Sequence, residues 1–517
     1  MKKLLLLLLS VSFMASAQQF QWLQATPIDL EMNPDYVGYT VASDPNGNVF
    51  LAGFDNTPVA YGADIMGNLA VKKYSADGQL LMSRSLTGNV AVYQIETDSA
   101  GNLYLALGWM GGLLLDNVAL LSAADGIQPL LVKLDPNGAV LWYHTPLIED
   151  SIVQQCRALA VDAADNVYLG YGDYMNSYID TFSPSGASLS HIEQMGVRSV
   201  SSLAIDTAGN LYTAGSCADM NSSFGGVSAT TPLAYNVYIA KYNAAGTFQW
   251  ARFTEDITCS NPHVKARQPD EVYFCGDLNG SFTFGGIEVG GPAFGADFFI
   301  ARLNANGDFM WVREVPGNGD MPAAGEAIAG NRNPLALDPE GNVFFAGRTR
   351  YDIQWNPTTA SNAGQDYQVL VLKLDADGHV LFAKTAGGEW ADRADGIAIA
   401  PDGSAYVSGM ANGSAVFDTL SLTFDAFPMY PFLAKLSTTL GVPSPLSTTP
   451  RWYPNPATTA IQLDVPRSLH GRIYNTLGQP VQEFTVAGGQ PLSLDGLASG
   501  LYFVAADGLP TQKIVKN

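Results

Sequence analysis

Apolar residues in this chain rarely recur at the spacing of a helix face. They alternate with small or polar residues over short runs, as in Asn342-Val343-Phe344-Phe345-Ala346-Gly347, where aromatic or β-branched side chains interleave with small ones. That alternation predicts short strands packed on both faces. Turn chemistry precedes each run. DPNGNVFLAG begins at Asp44, DSAGNLYLALG at Asp98, DAADNVYLGYG at Asp162 and DTAGNLYTAG at Asp206. RQPDEVYFCG at Arg267, DPEGNVFFAG at Asp338 and APDGSAYVSG at Ala400 complete seven copies, spaced by 54, 64, 44, 61, 71 and 62 residues. Asp, Pro, Asn and Gly in succession suit a type I turn closed by a left-handed residue, so each copy reads as a hairpin.

A second element alternates with the first: VKKYSADGQLLM from Val71, VKLDPNGAVLWY from Val132, IDTFSPSGASLSH from Ile179, IAKYNAAGTFQWA from Ile239, IARLNANGDFMWV from Ile300, VLKLDADGHVLFA from Val371 and FLAKLSTTLG from Phe432. Most copies are a strand, a turn ending in Gly, and a strand with a large residue four positions later, such as Trp142, Trp250, Trp311 or Phe382. Two hairpins per repeat make a four-stranded sheet, the unit of a β-propeller blade. The seventh copy lacks its last strand, and Phe20-Gln21-Trp22-Leu23 repeats the pattern of Phe248-Gln249-Trp250-Ala251. The N-terminal strand is therefore expected to complete the last blade near Lys435 and close the ring, removing an exposed sheet edge.

These two elements resemble the repeat of secreted seven-bladed propeller proteins abundant in Bacteroidota, over residues 19 to 441. Arg267 and Ser183 mark the degenerate copies. Architecture alone supplies no activity. After a linker at 442–450, residues 451–517 resemble the C-terminal sorting domain of type IX secretion substrates. The resemblance rests on Tyr453-Pro454-Asn455-Pro456, the turn ending at Gly478, and the strand bearing Gly500 and Tyr502. It implies a small Ig-like β-sandwich recognised by the outer-membrane translocon, then removed and replaced by a lipopolysaccharide anchor.

The other end carries a different address. Lys2 and Lys3, an apolar run and Ala15-Ser16-Ala17 read as a secretory signal cleaved between Ala17 and Gln18. No later segment has the length of apolar chain that a membrane helix requires, so the mature chain is expected to be soluble. The fold class expected is all-β: a seven-bladed β-propeller over 18–441, then the sandwich.

Acidic residues outnumber Lys and Arg by 48 to 26, a net charge of −22. Such a surface repels phosphate backbones and argues against nucleic acid as a partner. Four cysteines are too few for a disulfide scaffold, although Cys217, Cys259 and Cys275 are placed to tie neighbouring blades together. The Asp-x-x-Gly turns are too short for calcium loops. The Gly-x-x-x-Trp spacing reads as a packing device between blades, not as a quinone site. No histidine falls in a metal-spaced pair. Glu389, Asp392 and Asp395 cluster before the seventh turn and read as a solvated acidic loop.

No catalytic residue, cofactor or metal site is therefore assigned. The function expected is a non-enzymatic binding or interaction module, secreted or held at the outer-membrane surface, with an unidentified protein or glycan ligand. The alternative is a carbohydrate-active hydrolase or lyase on the same scaffold.

Overall fold

The computed structural model describes residues 18–25, 38–438 and 452–517, apart from 57, 62–63, 123–124, 149–154, 174, 218–220, 231–235, 256–261, 279, 291–296, 317–325, 356, 363–365, 424–429, 453–454, 464–468, 488–489 and 507–510. The signal segment, Cys259, Tyr453 and Pro454 lie outside these residues. Every regular element described is a β-strand. Two compact units divide the chain, one spanning 18–439 and the other containing 440–517.

In the larger unit each turn copy joins the first two strands of an antiparallel meander. Four of the sheets make the rule plain. Their strands run Gln155–Val161, Val167–Gly172, Ser177–Phe182, Ser188–Met195; Ser199–Ile205, Leu211–Cys217, Asn236–Tyr242, Phe248–Glu255; and His263–Ala266, Val272–Leu278, Asp297–Leu303, Phe309–Arg313. A fourth runs Arg393–Ile399, Ala405–Ala411, Tyr430–Leu436 and then back to Phe20–Ala25. The N-terminal strand thus pairs where the sequence places it, with Trp22 opposite Lys435. A fifth meander has a split first strand, Glu326–Ala329 and Leu335–Leu337, before Val343–Arg350, Gln368–Leu374 and Val380–Ala386.

The first two repeats depart from the rule. Leu80–Thr97 is one unbroken strand of 18 residues, the last strand of one repeat and the first of the next, and it fuses both into a nine-stranded sheet. Met82 stands where other copies carry Trp, and Gly88 (φ 149°) is the point of passage. A Cβ there would lie 2.6 Å from the Gly112 carbonyl.

The first strands of the repeats pack on one another in sequence. Thr40–Ser43 lies against Leu80–Thr97 and Arg393–Ile399. Gln155–Val161 lies against Leu80–Thr97 and Ser199–Ile205, and His263–Ala266 against Ser199–Ile205 and Leu335–Leu337, which in turn touches Arg393–Ile399. Asn333 fastens three of them, donating from Nδ2 to the carbonyls of Val41 and Ile397 (3.0 Å each) and accepting from Thr40 Oγ1 (3.1 Å). The resulting all-β, propeller-like body buries its apolar side chains between sheets, for example Phe344, Val371, Ile397 and Phe432 in one layer.

Three of the connections between second and third strands carry hairpins: Asn221–Phe224 with Val227–Thr230, Ser281–Phe284 with Ile287–Gly290, and Ile353–Trp355 with Thr358–Ala360. Phe224 and Phe284 tuck against Phe248 and Phe309 of the fourth strands (ring centroids 5.7 and 5.5 Å apart). The smaller unit has a two-stranded sheet and a four-stranded sheet, the latter ordered Pro480–Val486, Leu469–Tyr474, Gly500–Ala506, Gln512–Lys516. Its own core includes Trp452, Ile473, Leu494, Val504 and Ile514.

Candidate functional site

The repeated turn is more than a reversal. Asp44 Oδ1 accepts the backbone N–H groups of Asn46 and Asn48 (2.9 Å each), while Oδ2 accepts Asn48 Nδ2 at 2.8 Å and Lys73 Nζ at 2.9 Å. Lys73 also lies 4.7 Å above the Phe50 ring. The same trio recurs as Asp98, Lys133 and Tyr104, and as Asp338, Lys373 and Phe344, with both ion pairs at 2.9 Å. Burial works against ionisation of these carboxyls, yet the bonds from Asn and Lys outweigh it and hold Asp44, Asp98 and Asp338 below the usual range. In the degenerate copy, Arg267 and Glu271 form the ion pair instead, at 2.7 Å.

These turns gather around one end of the space enclosed by the first strands. Residues 43–45, 97–99, 266–267, 337–339 and 399–401 line a single open pocket of about 510 Å³. Deeper in, Lys265 Nζ and Glu96 Oε1 meet at 3.1 Å although 169 residues separate them. Gln94 bridges to the neighbouring first strand, exchanging hydrogen bonds with Leu159 (2.9 and 3.1 Å).

The other end of the channel is arginine-rich. Arg157 lies with its Cζ 5.6 Å from the Tyr93 ring centroid, and Arg393 Nε donates to Asp395 Oδ1 at 2.9 Å. Asp395 Oδ2 accepts the Tyr39 N–H at 3.1 Å. Arg332 has Asp395, Tyr93, Arg157 and Arg393 as electrostatic neighbours. Burial, with Lys265 and Arg332 nearby, pushes the His263 imidazole down to about 3, so it is neutral.

The acidic segment corrects the sequence reading in part, since Glu389 is exposed as expected. Asp392 and Asp395 are not solvated: they are 1% and 0% exposed. Asp392 accepts the N–H groups of Gly388 (2.7 Å) and Asn412 (2.8 Å), and burial pushes its carboxyl up to about 7. It staples a loop, and Asp395 orients an arginine. Cys217 and Cys275 are both buried; Cys217 ends its strand, whereas Cys275 stands mid-strand opposite His263. Sequence reasoning missed Arg157, Lys265, Arg332 and Arg393. When the repeats are aligned on the Asp turn, three of these fall in the preceding strand, at positions where other copies carry residues as different as Ala42, Glu96 and Asp395, so the repeat pattern does not mark them.

In the smaller unit, Asn455 joins both ends of the domain: Nδ2 donates to the Lys513 carbonyl and Oδ1 accepts the Val515 N–H, each at 2.8 Å. Gly478 closes its turn at φ 75°. Gly500 pairs with Lys516, and the Tyr502 hydroxyl donates to the Ala498 carbonyl at 2.8 Å.

Beta-agarase A of Zobellia galactanivorans is 25% identical over 227 residues, covering 42% of this chain and 41% of the agarase, so the chain spans less than half of that relative's length. Among solved structures, similarity extends to virginiamycin B lyase from Staphylococcus aureus (12% identity, 80% of this chain, 99% of that one, TM-score 0.38). It extends also to the WD40 domain of Neurospora crassa Pan2 (11%, 82%, 97%, TM-score 0.39). Residues 451–517 match the secretion system C-terminal sorting domain family. The chain is therefore a type IX secretion cargo, an all-β body whose C-terminal residues belong to that sorting family and direct it to the cell surface or the medium.

Proposed function

We propose that the protein is an exported binding module, a seven-bladed β-propeller over 18–441 joined by a linker to an Ig-like sorting sandwich at 451–517. The cycle of contacts among first strands supports the seven-fold count, as do the seven turn copies. Cleavage between Ala17 and Gln18, recognition of the sandwich by the translocon, and a disulfide from Cys259 to Cys217 or Cys275 belong to the same reading. The observation that carries a binding role is convergence. Turns from five repeats, distant in sequence, line one open pocket at the end of a channel crossed by charged side chains. No catalytic residue is assigned. The test is a glycan and protein array probed with the mature chain, residues 18–517: retention of one ligand class without turnover is the expected result, and no retention on either array overturns it.

A second reading, a carbohydrate-active enzyme, is favoured by the similarity to Beta-agarase A and by buried carboxyls raised to about 7 and about 8 at Asp392 and Asp297. Release of reducing ends from agarose by the mature chain would decide for it.

A further inference from the structure

Away from the turn-lined pocket, the charged side chains along the channel reverse the charge balance of the chain among the described residues. Acids outnumber cations almost two to one overall. Among the described residues beyond that pocket, four cations, Arg157, Lys265, Arg332 and Arg393, stand with two carboxylates, Glu96 and Asp395. Both carboxylates are already engaged. Asp395 holds Arg393 and the Tyr39 N–H. Glu96 holds Lys265 and accepts Gln94 Nε2, each at 3.1 Å.

Arg332 is left with little. Its Nη1 donates to the carbonyl of Asn331 at 3.1 Å, and its buried Nε has no hydrogen-bond partner among the described residues. The guanidinium is held in place by Gly38, where a Cβ would lie 3.0–3.1 Å from Arg332 Cγ, Cζ and Nε. Beside it His263 is 7% exposed, and its Nε2 likewise lacks a partner among the described residues. A buried donor without an acceptor costs about 1–3 kcal/mol, more when charged, and like charges held together in a poorly solvated channel repel. An anion arriving there relieves both terms, accepting from Arg332 and His263 within the field of Arg157 and Arg393.

We propose that the arginine-bearing end of the channel binds an oxyanion group, carboxylate, sulfate or phosphate, of the ligand, with Arg332 and His263 as donors. The proposal rests on the binding-module reading and sharpens it to an anionic ligand. It is tested by calorimetric titration of the mature chain with sodium sulfate, sodium phosphate and sodium glucuronate, ionic strength being held constant with sodium chloride. Saturable binding of one anion per chain is expected, weakened about tenfold or more by Arg332→Gln and weakened also by the half-buried Arg157→Gln. Arg84→Gln, remote from the channel, should bind as the parent does. Thermal melts establish that each variant is folded, and the preferred salt tells a carboxylate ligand from a tetrahedral one. Absence of saturable binding, or equal affinity in folded Arg332→Gln and Arg157→Gln, overturns the proposal. A neutral glycan found on the array with no anion effect would overturn it while leaving the binding module intact.

Discussion

The Asp of the hairpin turn and the Lys of the following element lie 29 to 35 residues apart in the chain, yet they share one bond geometry in repeat after repeat. The turn was legible because Asp and Gly have fixed roles within four residues. The ion pair was not, since nothing local says that two repeating residues face each other across neighbouring strands. The fourth repeat shows how much substitution the trio tolerates: there Tyr212 donates its hydroxyl to Asp206 at 2.9 Å while Lys241 reaches the Ala305 carbonyl. Two groups of carboxyls then act oppositely on stability. Asp44, Asp98 and Asp338 sit below their unfolded values, so the folded state binds fewer protons there and loses stability as pH falls through the acid range. Asp297 and Asp392 are raised by burial to about 8 and about 7, so between their unfolded and folded values the folded state holds the extra proton. Each then lowers stability by about 1.4 kcal/mol per pH unit as pH rises through that window. Thermal melts from pH 3 to 8 should peak near pH 4 to 5 and decline towards pH 8. Asp297→Asn keeps an acceptor for the Phe298 N–H, which Asp297 Oδ1 now accepts at 2.8 Å, and should flatten that decline. An unchanged slope in the variant would refute the assignment.

Among elements, the N-terminal strand shows why the repeat could be read as a closed array. Phe20 occupies the slot that Phe248 and Phe309 fill elsewhere, packing on Phe417 with ring centroids 5.0 Å apart. Trp22 Nε1 donates to Ala76 O at 2.9 Å, as Trp250 donates to Ala305 O (3.0 Å) and Trp311 to Ala376 O (2.9 Å). Each Trp thus reaches the turn of the next repeat, and Trp22, completing the last, reaches the first. The Gly of that turn is required twice over: Gly307 has φ 79°, and a Cβ on it would stand 2.8 Å from Trp250. What the alternation of residues did not reveal is the fusion of the first two repeats, because an 18-residue strand and two shorter ones share the same period. The clasp itself is testable. Phe20→Ala removes a 4%-exposed ring and should cost about 3–5 kcal/mol. Removal of residues 18–25 should bare the edge of Tyr430–Leu436 and promote association, measured by size-exclusion chromatography and thermal denaturation. A truncated chain that stayed monomeric with the parent melting temperature would mean that the ring does not depend on this strand.

At the level of the whole molecule, two units with separate cores divide the work. The larger builds a channel with an arginine-rich end, a feature that the acidic composition conceals because it averages over the whole surface. The smaller was readable from Asn455, Pro456, Gly478, Gly500 and Tyr502, residues whose spacing within one short domain identifies it. Its apolar side chains, Trp452, Ile473, Phe484 and Val504 among them, pack on one another in a cluster of their own. Among the described residues, removing 451–517 therefore takes no side chain from these core layers of the larger unit. The truncated protein should fold, keep its melting transition and its protease resistance, and yet stay in the periplasm, because the residues that mark it for the translocon are gone. Cell fractionation with surface protease accessibility reads the outcome. Folded, truncated protein at the surface would place the export signal elsewhere in the chain. Unfolded protein in the periplasm would show instead that the body depends on the sorting domain for stability, against the separation of the two cores.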